Sequence, residues 1–186
     1  MTAWIQVVDS EHADGRLREF YDKVLEYRGR IANVFKVHSL NPEAMKAHLD
    51  LYLTIMFGRN GLTRAQREMI AVVVSAVNDC EYCVVHHSAG LSRHVRDEIF
   101  VKQLAADYTK AALSTKDRVM LQYAVKLTRN LNEMNEEEVR QLRNAGFVDE
   151  QILAITLVAS YFNFVNRIVE GLGVKFEEQR GEGYKY

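Results

Sequence analysis

Apolar residues recur at intervals of three and four along most of this chain, which is the spacing of one face of an α-helix. The clearest early example runs from Arg16 to Arg28, and Gly29 stands where such a helix would end. Its apolar positions are Leu17, Phe20, Tyr21, Val24 and Leu25. We therefore predict an amphipathic helix over this segment.

Capping residues predict where the next two helices begin. Pro42 suits the first position of a helix that runs to about Phe57. Thr63 and Gln66 form a capping box ahead of a helix at about 64–77. The run AVVVSAV inside that segment favours a strand locally, but the cap and the length of the element favour a helix.

The remaining chain also has a helical pattern. A tight turn at Asn78-Asp79 is expected to start the next helix. Further helices are predicted at about 93–105, 114–130, 135–144 and 149–170. Because no convincing alternating strand occurs, the predicted fold class is all-α.

Two pairs of segments resemble each other, which indicates a duplicated helical unit with a pseudo-twofold axis. Chance similarity between helix starts is the alternative. In such a duplication the second copy would lack the cysteines and the acid of the first. The pairs are LTRAQREM (62–69) with LSTKDRVM (113–120), and AGLSRHVRDEI (89–99) with AGFVDEQI (145–152).

Composition and charge exclude some partners. The 186 residues fit a single domain over 1–186, with a core at about 16–172 and a polar tail at 174–186. The chain is 48% hydrophobic and 26% charged, as in ordinary globular proteins. A net charge of −1 provides no general attraction to nucleic acid or to anionic lipid.

Neither a membrane helix nor a signal peptide is expected. The apolar run Ile152–Val169 is interrupted by polar residues, so a buried helix or a subunit interface is predicted there. Acidic residues also occupy the place where a signal peptide would need its apolar segment, which favours a cytoplasmic location. The interrupting residues are Asn163, Asn166 and Arg167, and the acidic ones are Asp9, Glu11 and Asp14.

Both cysteines lie in the stretch DCEYCVVHHSAG, residues 79–90. On a helix Cys80, Cys83 and His87 share one face, whereas His86 points away from it. Near a helix start, unpaired amides and the helix dipole stabilise a thiolate. In a reducing compartment this pair favours redox or metal chemistry over a structural disulfide.

Glu68 is the expected partner of His87. It lies about 15 Å back along its helix from Asn78, and His87 climbs about 12 Å if the next helix folds back antiparallel. The two side chains would then lie within one turn of each other, with Cys83 one turn nearer the connection. In this order a carboxylate orients an imidazole that takes the thiol proton. Cys80 can then convert a sulfenic acid into a disulfide.

Other interpretations of these residues remain open. Zinc would normally need a second pair of ligands, and three ligands on one helical face wrap poorly around a tetrahedral ion. The thiols could also be a buried structural pair. His86 fits a surface or interface residue, and Glu68 taken alone fits a solvated acid.

The spacing Glu68-x11-Cys80-x2-Cys83-x3-His87 resembles the motif of the alkylhydroperoxidase D-like (AhpD-like) proteins of the carboxymuconolactone decarboxylase-like superfamily. The segment NVFKVHSLNPEAM and the two-copy layout are similar to the peroxidase-related branch of that group. The resemblance covers about residues 30–172. It implies an AhpD-like helical fold and a homo-oligomer, either a trimer or a hexamer built from dimers.

The resemblance also implies thiol-dependent reduction of hydroperoxides, with no cofactor and no metal. Cys83 would be the peroxidatic cysteine, Cys80 the resolving cysteine, and Glu68 and His87 the proton relay. An external dithiol, from a lipoyl protein or a thioredoxin-like system, would reduce the pair again.

Tyr82 departs from the pattern, since some members have a histidine at that place. A phenol with a reference pKa of about 10 is a poor base near neutral pH, so the relay would rest on His87. The decarboxylase relatives lack the cysteine pair, which makes that activity unexpected. The alternative to an enzyme is a redox sensor or partner-binding module switched by a Cys80–Cys83 disulfide.

Overall fold

The computed structural model describes residues 1–177, apart from the side chains of residues 27 and 28. Nine α-helices and no strand occur in this part of the chain, which confirms the all-α prediction. The helices are α1 (Gly15–Arg28), α2 (Asn33–Lys36), α3 (Pro42–Phe57), α4 (Arg64–Val77), α5 (Glu81–Ser92), α6 (Glu98–Asp107), α7 (Thr115–Arg129), α8 (Glu136–Asn144) and α9 (Asp149–Leu172). Short 3-10 turns follow α6 at Tyr108–Lys110 and α7 at Leu131–Glu133.

Helix α4 lies at the centre of the molecule and packs against α5, α6, α7 and α9. Five consecutive residues, Ile70–Val74, are fully or almost fully buried, so every face of the helix is covered there. A helix that is covered on all sides needs an apolar run, which explains the strand-like stretch AVVVSAV.

Local hydrogen bonds explain the helix ends that the sequence predicted. Gly29 ends α1 in the left-handed region at φ 74° and donates its N–H to Leu25 O at 2.8 Å. Asn41 caps α3 by accepting the N–H of Ala44 at 3.1 Å. At the start of α4 both bonds of the Thr63–Gln66 capping box are present.

Two boundaries differ from the prediction. The cysteine helix α5 begins at Glu81 with Cys80 as its N-cap, because Asp79 adopts a positive φ of 54°. Aspartate tolerates this left-handed conformation, so the N-cap falls one or two residues later than the predicted Asn78 or Asp79. Helix α6 begins only at Glu98, where the Asp97 side chain caps it. The single-turn α2 was not predicted.

The predicted internal repeat has mixed support from the helix starts. Thr63 and Ser114 hold matching positions in the first pair of segments, and each caps its helix through its hydroxyl oxygen. In the second pair, the Ala-Gly dipeptide at 145–146 lies between α8 and α9, whereas Gly90 lies inside α5. The pseudo-twofold axis remains a prediction.

Helix α9 is the apolar segment noted in the sequence. By length and composition alone this one helix, among the described residues, could cross a membrane. It packs against α3, α4, α7 and α8, and buried residues such as Ile155, Val158 and Phe162 make those contacts. Its Asn166 side chain is also buried, where it donates to Ser75 Oγ at 3.0 Å.

Residues on both sides of the predicted core of 16–172 pack against the helices. Trp4 N–H donates to Leu172 O at 2.8 Å, and Lys175 N–H donates to Thr2 O at 2.9 Å. Val174 is buried. The predicted polar tail therefore does not begin at residue 174, and its part from 178 to 186 lies outside the described residues.

Candidate active site

The turn between α4 and α5 positions the two cysteines. Cys80 N–H donates to Ser75 O at 2.9 Å, which attaches the start of α5 to the end of α4. Neither of the residues predicted to cap α5 does so: Asn78 donates its amide to Asn166 Oδ1 at 2.9 Å, and Cys80 is the N-cap in place of Asp79.

Cys80 and Cys83 lie together in the interior, with 0% and 2% of their surfaces exposed. Both are free thiols, and their sulfur atoms are in hydrogen-bond contact. The hydrogen bond with Cys80 and burial raise the pKa of Cys83 well above its usual value, whereas a hydrogen bond with Asn166 lowers it. The helix start therefore does not hold Cys83 as a thiolate, contrary to the prediction, and its proton needs a base.

Glu68 and His87 are joined as the helix arithmetic predicted. His87 Nδ1 lies 2.7 Å from Glu68 Oε2, and the carboxylate is fully buried, so Glu68 is not a solvated acid. Because a carboxylate only accepts, Nδ1 carries a proton, and in the neutral ring Nε2 is left as an acceptor.

Arg64 contacts the same carboxylate from the other side, at 2.7 Å between its Nη2 and Glu68 Oε1. The contact is an ion pair whose geometry is poor for a hydrogen bond, since neither atom has a well-aligned partner. Burial raises the pKa of Glu68, but the charges of His87 and Arg64 and the hydrogen bond with His87 outweigh it and lower the pKa overall. Glu68 is therefore ionised.

Gly90 lets α5 approach this carboxylate. A Cβ atom at that position would stand 3.0 to 3.2 Å from the three carboxyl atoms of Glu68. Such distances are tighter than ordinary van der Waals contact, so a side chain would push against the Glu68 group that His87 and Arg64 hold.

A cavity of about 50 Å³ connects the thiol with the imidazole. Cys83 and His87 both line it, so a water molecule or a substrate in the cavity can bridge them. The ring of His87 also meets Phe162 edge-on at 4.5 Å. Besides Cys83, His86 and His87, the lining is apolar or aromatic: Ala32, Val34, Phe35, Tyr52, Tyr82, Tyr161, Phe162 and Val165.

A second buried carboxylate, Glu177, lies beside the cavity and bonds two of its lining residues. It accepts hydrogen bonds from Asn33 N–H at 2.6 Å, Tyr82 Oη at 2.7 Å and His86 Nε2 at 3.0 Å. Burial raises its pKa, but these hydrogen bonds and the charge of His86 lower it to about 2. Phe176 packs beside it, with its ring 5.4 Å from that of Tyr82.

His86 is not the surface or interface residue that the helical pattern predicted. It is 9% exposed and lines the cavity. Its Nδ1 lies 2.7 Å from Tyr82 O and its Nε2 faces Glu177. Because a carbonyl and a carboxylate only accept, both ring nitrogens are placed as donors. It is thus unavailable as a base.

Sequence reasoning missed several of these residues. Arg64 carried a weak signal, since it stands one helical turn before Glu68. Gly90 in the interior of a helix was also a signal, because glycine is unfavourable there. Glu177 and Asn166 gave none, since their partners are remote in sequence. In residues 1–177 no group of three histidine, cysteine or acidic side chains is placed to hold a metal ion.

Known proteins resemble this chain in both sequence and fold. The carboxymuconolactone decarboxylase family model matches residues 42–99, which include Glu68, both cysteines and His87. A peroxidase-related protein of Silicibacter sp. TM1040 is 32% identical, with a TM-score of 0.84 and coverage of 96% of this chain and 95% of that one. No curated protein matches the chain significantly.

Two further structures are similar. A peroxidase-related protein of Ralstonia eutropha JMP134, described as an alkylhydroperoxidase AhpD core, is 29% identical with a TM-score of 0.88, over 97% of this chain and 95% of that one. A debrominase in complex with 2,3,4-tribromopyrrole is 17% identical with a TM-score of 0.78, over 94% and 91% of the two chains. The latter likeness concerns the fold alone.

Proposed function

Because the chain belongs to the AhpD-like carboxymuconolactone decarboxylase superfamily, we propose that it is a thiol-dependent peroxidase that reduces hydroperoxides through Cys83 and Cys80. One observation carries the proposal. Two thiols in contact lie beside a cavity whose wall also holds His87, the imidazole bonded to the ionised Glu68.

The first step needs a base, because the raised pKa of Cys83 keeps its thiol protonated. His87 Nε2 takes this proton, and the sulfur attacks the terminal oxygen of the hydroperoxide. An S–O bond forms as the O–O bond breaks, so sulfur is oxidised and the peroxide is reduced. The departing alkoxide takes the proton back from His87 and leaves as an alcohol.

The second step closes the disulfide. The Cys80 sulfur attacks the sulfenic acid on Cys83, an S–S bond forms, and the hydroxyl leaves as water with the proton of Cys80. Access supports these roles for the two cysteines, since Cys83 lines the cavity and Cys80 is fully buried.

An external dithiol must then reduce the disulfide. A narrow cavity and two buried sulfurs suit a slender reagent, so a lipoyl group on a carrier protein fits better than the surface of a thioredoxin-like protein. We further propose that the protein acts in the cytoplasm as a homo-oligomer, a trimer or a hexamer.

Replacing Cys83 by serine tests the proposal. In Cys83→Ser, consumption of an organic hydroperoxide with excess dithiol should fall to the rate without protein, because a hydroxyl is far less nucleophilic than a thiolate. Unchanged consumption would show that Cys83 is not the peroxidatic residue.

Cys80→Ser is the matched variant. It should accumulate a sulfenic acid on Cys83 that a dimedone-type reagent traps, with an adduct detectable by mass spectrometry. Should the unmodified protein consume one equivalent of peroxide and then stop despite ample dithiol, the redox-sensor alternative would replace the enzyme.

A further inference from the structure

An imidazole, a guanidinium and one buried carboxylate meet in the relay. Glu68 Oε2 bonds His87 Nδ1, and Glu68 Oε1 faces Arg64 Nη2, each at 2.7 Å. An uncompensated charge in a protein interior is strongly destabilising. The three side chains are therefore most stable when their charges sum to zero. The protonation state of His87 is the variable that adjusts this net charge.

Arg64 changes this charge by one unit. With Arg64 present, Glu68 is already neutralised, and His87 can rest as a neutral ring able to accept a proton. Without Arg64, an ionised Glu68 beside a neutral His87 would leave one negative charge buried. Taking up a proton from solvent would remove that charge, but a protonated His87 has no lone pair for the proton of Cys83.

We propose that Arg64 is a positioning residue that keeps His87 neutral, and therefore competent as a base, by neutralising Glu68. The inference rests on the proposed function in one respect only, namely that the base takes the proton of Cys83. The charge argument itself concerns three side chains and holds whether or not a hydroperoxide is the substrate.

The surroundings of Arg64 fix it for this role. Its Nη1 donates to Met56 O at 2.5 Å, and its guanidinium lies over the ring of Phe57, 3.8 Å from the centroid. These contacts hold the side chain against α3 while its other nitrogen faces Glu68. The arginine is mostly buried, with 15% of its side chain exposed.

Other charged groups near the pair are engaged elsewhere. Arg67, on the same helix, donates to Gly58 O at 2.7 Å and to Asn60 Oδ1 at 3.1 Å. The imidazole of His86 is paired with Glu177. The titratable groups that share the cavity wall with His87 are Cys83, His86 and Tyr82 on α5, Tyr52 on α3 and Tyr161 on α9.

The test follows the protonation of His87 directly. The ¹⁵N shifts of its ring are recorded against pH in the full-length protein and in Arg64→Met, with His87→Ala used for assignment. In Arg64→Met, we expect the ring to stay protonated to a pH about one to two units higher than in the unmodified protein, as removal of a nearby charge predicts. Equal titration in both proteins would overturn the proposal.

Arg64→Lys separates charge from packing. It retains the positive charge but loses the contacts with Met56 and Phe57, so its His87 should titrate as in the unmodified protein. A shift as large as that of Arg64→Met would overturn the charge argument. Arg64→Gln repeats the neutral change should the methionine variant not fold, and Arg140→Met, on the exposed face of α8, is the control for loss of an arginine.

The two proposals can fail separately. The ring titration uses no hydroperoxide, so a protein without peroxidase activity would still show the effect of Arg64. If the protein is active, the acid limb of its rate–pH profile should move upward by the same amount in Arg64→Met and stay in place in Arg64→Lys.

Discussion

At the scale of single residues, the site depends on how closely two helices approach each other. Gly90 on α5 faces the Glu68 carboxylate on α4, and an added methyl carbon there would stand only 3.0 to 3.2 Å from the carboxyl atoms. The carboxylate cannot move freely to make room, because His87 and Arg64 hold its two oxygens. A glycine inside a helix, normally unfavourable, is thus required by the geometry of the relay.

Gly90→Ala should therefore lower activity more than stability. The added methyl group displaces Glu68 and misplaces His87, for which a loss of about 10- to 100-fold in kcat/KM is expected. The gain in helix propensity, about 0.5–1 kcal/mol, offsets part of the crowding in the free energy of unfolding. Peroxide turnover and urea unfolding measure the two effects.

Gly171→Ala is the matched control. This glycine also lies in a helix, α9, but nothing stands within 4 Å of where its Cβ would be. Its activity should equal that of the unmodified protein. Equal activity in Gly90→Ala would contradict the proposed contact with Glu68.

At the scale of elements, the segment after α9 lies beside the cavity and contacts two residues of its lining, Tyr82 and His86. Residues 174–177 leave the helix at Gly173, and Glu177 reaches α5 through Tyr82 and His86 and α2 through Asn33. Tyr82 therefore does not serve as a base in place of histidine, since its hydroxyl donates to Glu177. One carboxylate joins three elements beside the thiols.

Glu177→Gln should make Cys83 easier to reach. An amide lacks the negative charge that strengthens the bond between Glu177 and His86. The loss of about 1 kcal/mol from such a buried bond corresponds to an about fivefold rise in local opening. Alkylation of Cys83 by a small uncharged reagent, in a Cys80→Ser background, measures this opening. Glu98→Gln, a change on an exposed side chain, should leave the rate as it was.

At the scale of the whole molecule, the two buried carboxylates link folding to pH. The pKa of Glu177 falls from 4.5 to about 2 in the folded protein, and the pKa of Glu68 is lowered as well. An acid whose pKa is lowered by folding stabilises the folded state above its unfolded pKa, and this stabilisation is lost as the pH falls toward the folded pKa.

The protein should accordingly lose stability between about pH 5 and pH 2, and Glu177→Gln should lose less over the same range. Urea unfolding midpoints at steps of pH measure the difference. Parallel curves for the two proteins would show that Glu177 is not held ionised by the fold.

The sequence alone determined most of the helices and their ends. Caps such as Asn41, the Thr63–Gln66 box and Gly29 act within a few residues, so their partners are visible in the local sequence. The rise per residue also placed Glu68 beside His87, because both lie on one hairpin of two regular helices. The N-cap of α5 is Cys80, one or two residues after the predicted Asn78 or Asp79, since the left-handed turn at Asp79 has no reliable local signal.

Only the tertiary structure decided how the site is charged and enclosed. Glu177 is 95 residues from Tyr82 and 144 from Asn33, and Asn166 is 91 from Ser75, so no local pattern connects them. The contact with Cys80 and burial raise the pKa of Cys83, which opposes the thiolate expected at a helix start. Burial depends on how every helix packs against the others, and that is a property of the folded chain as a whole.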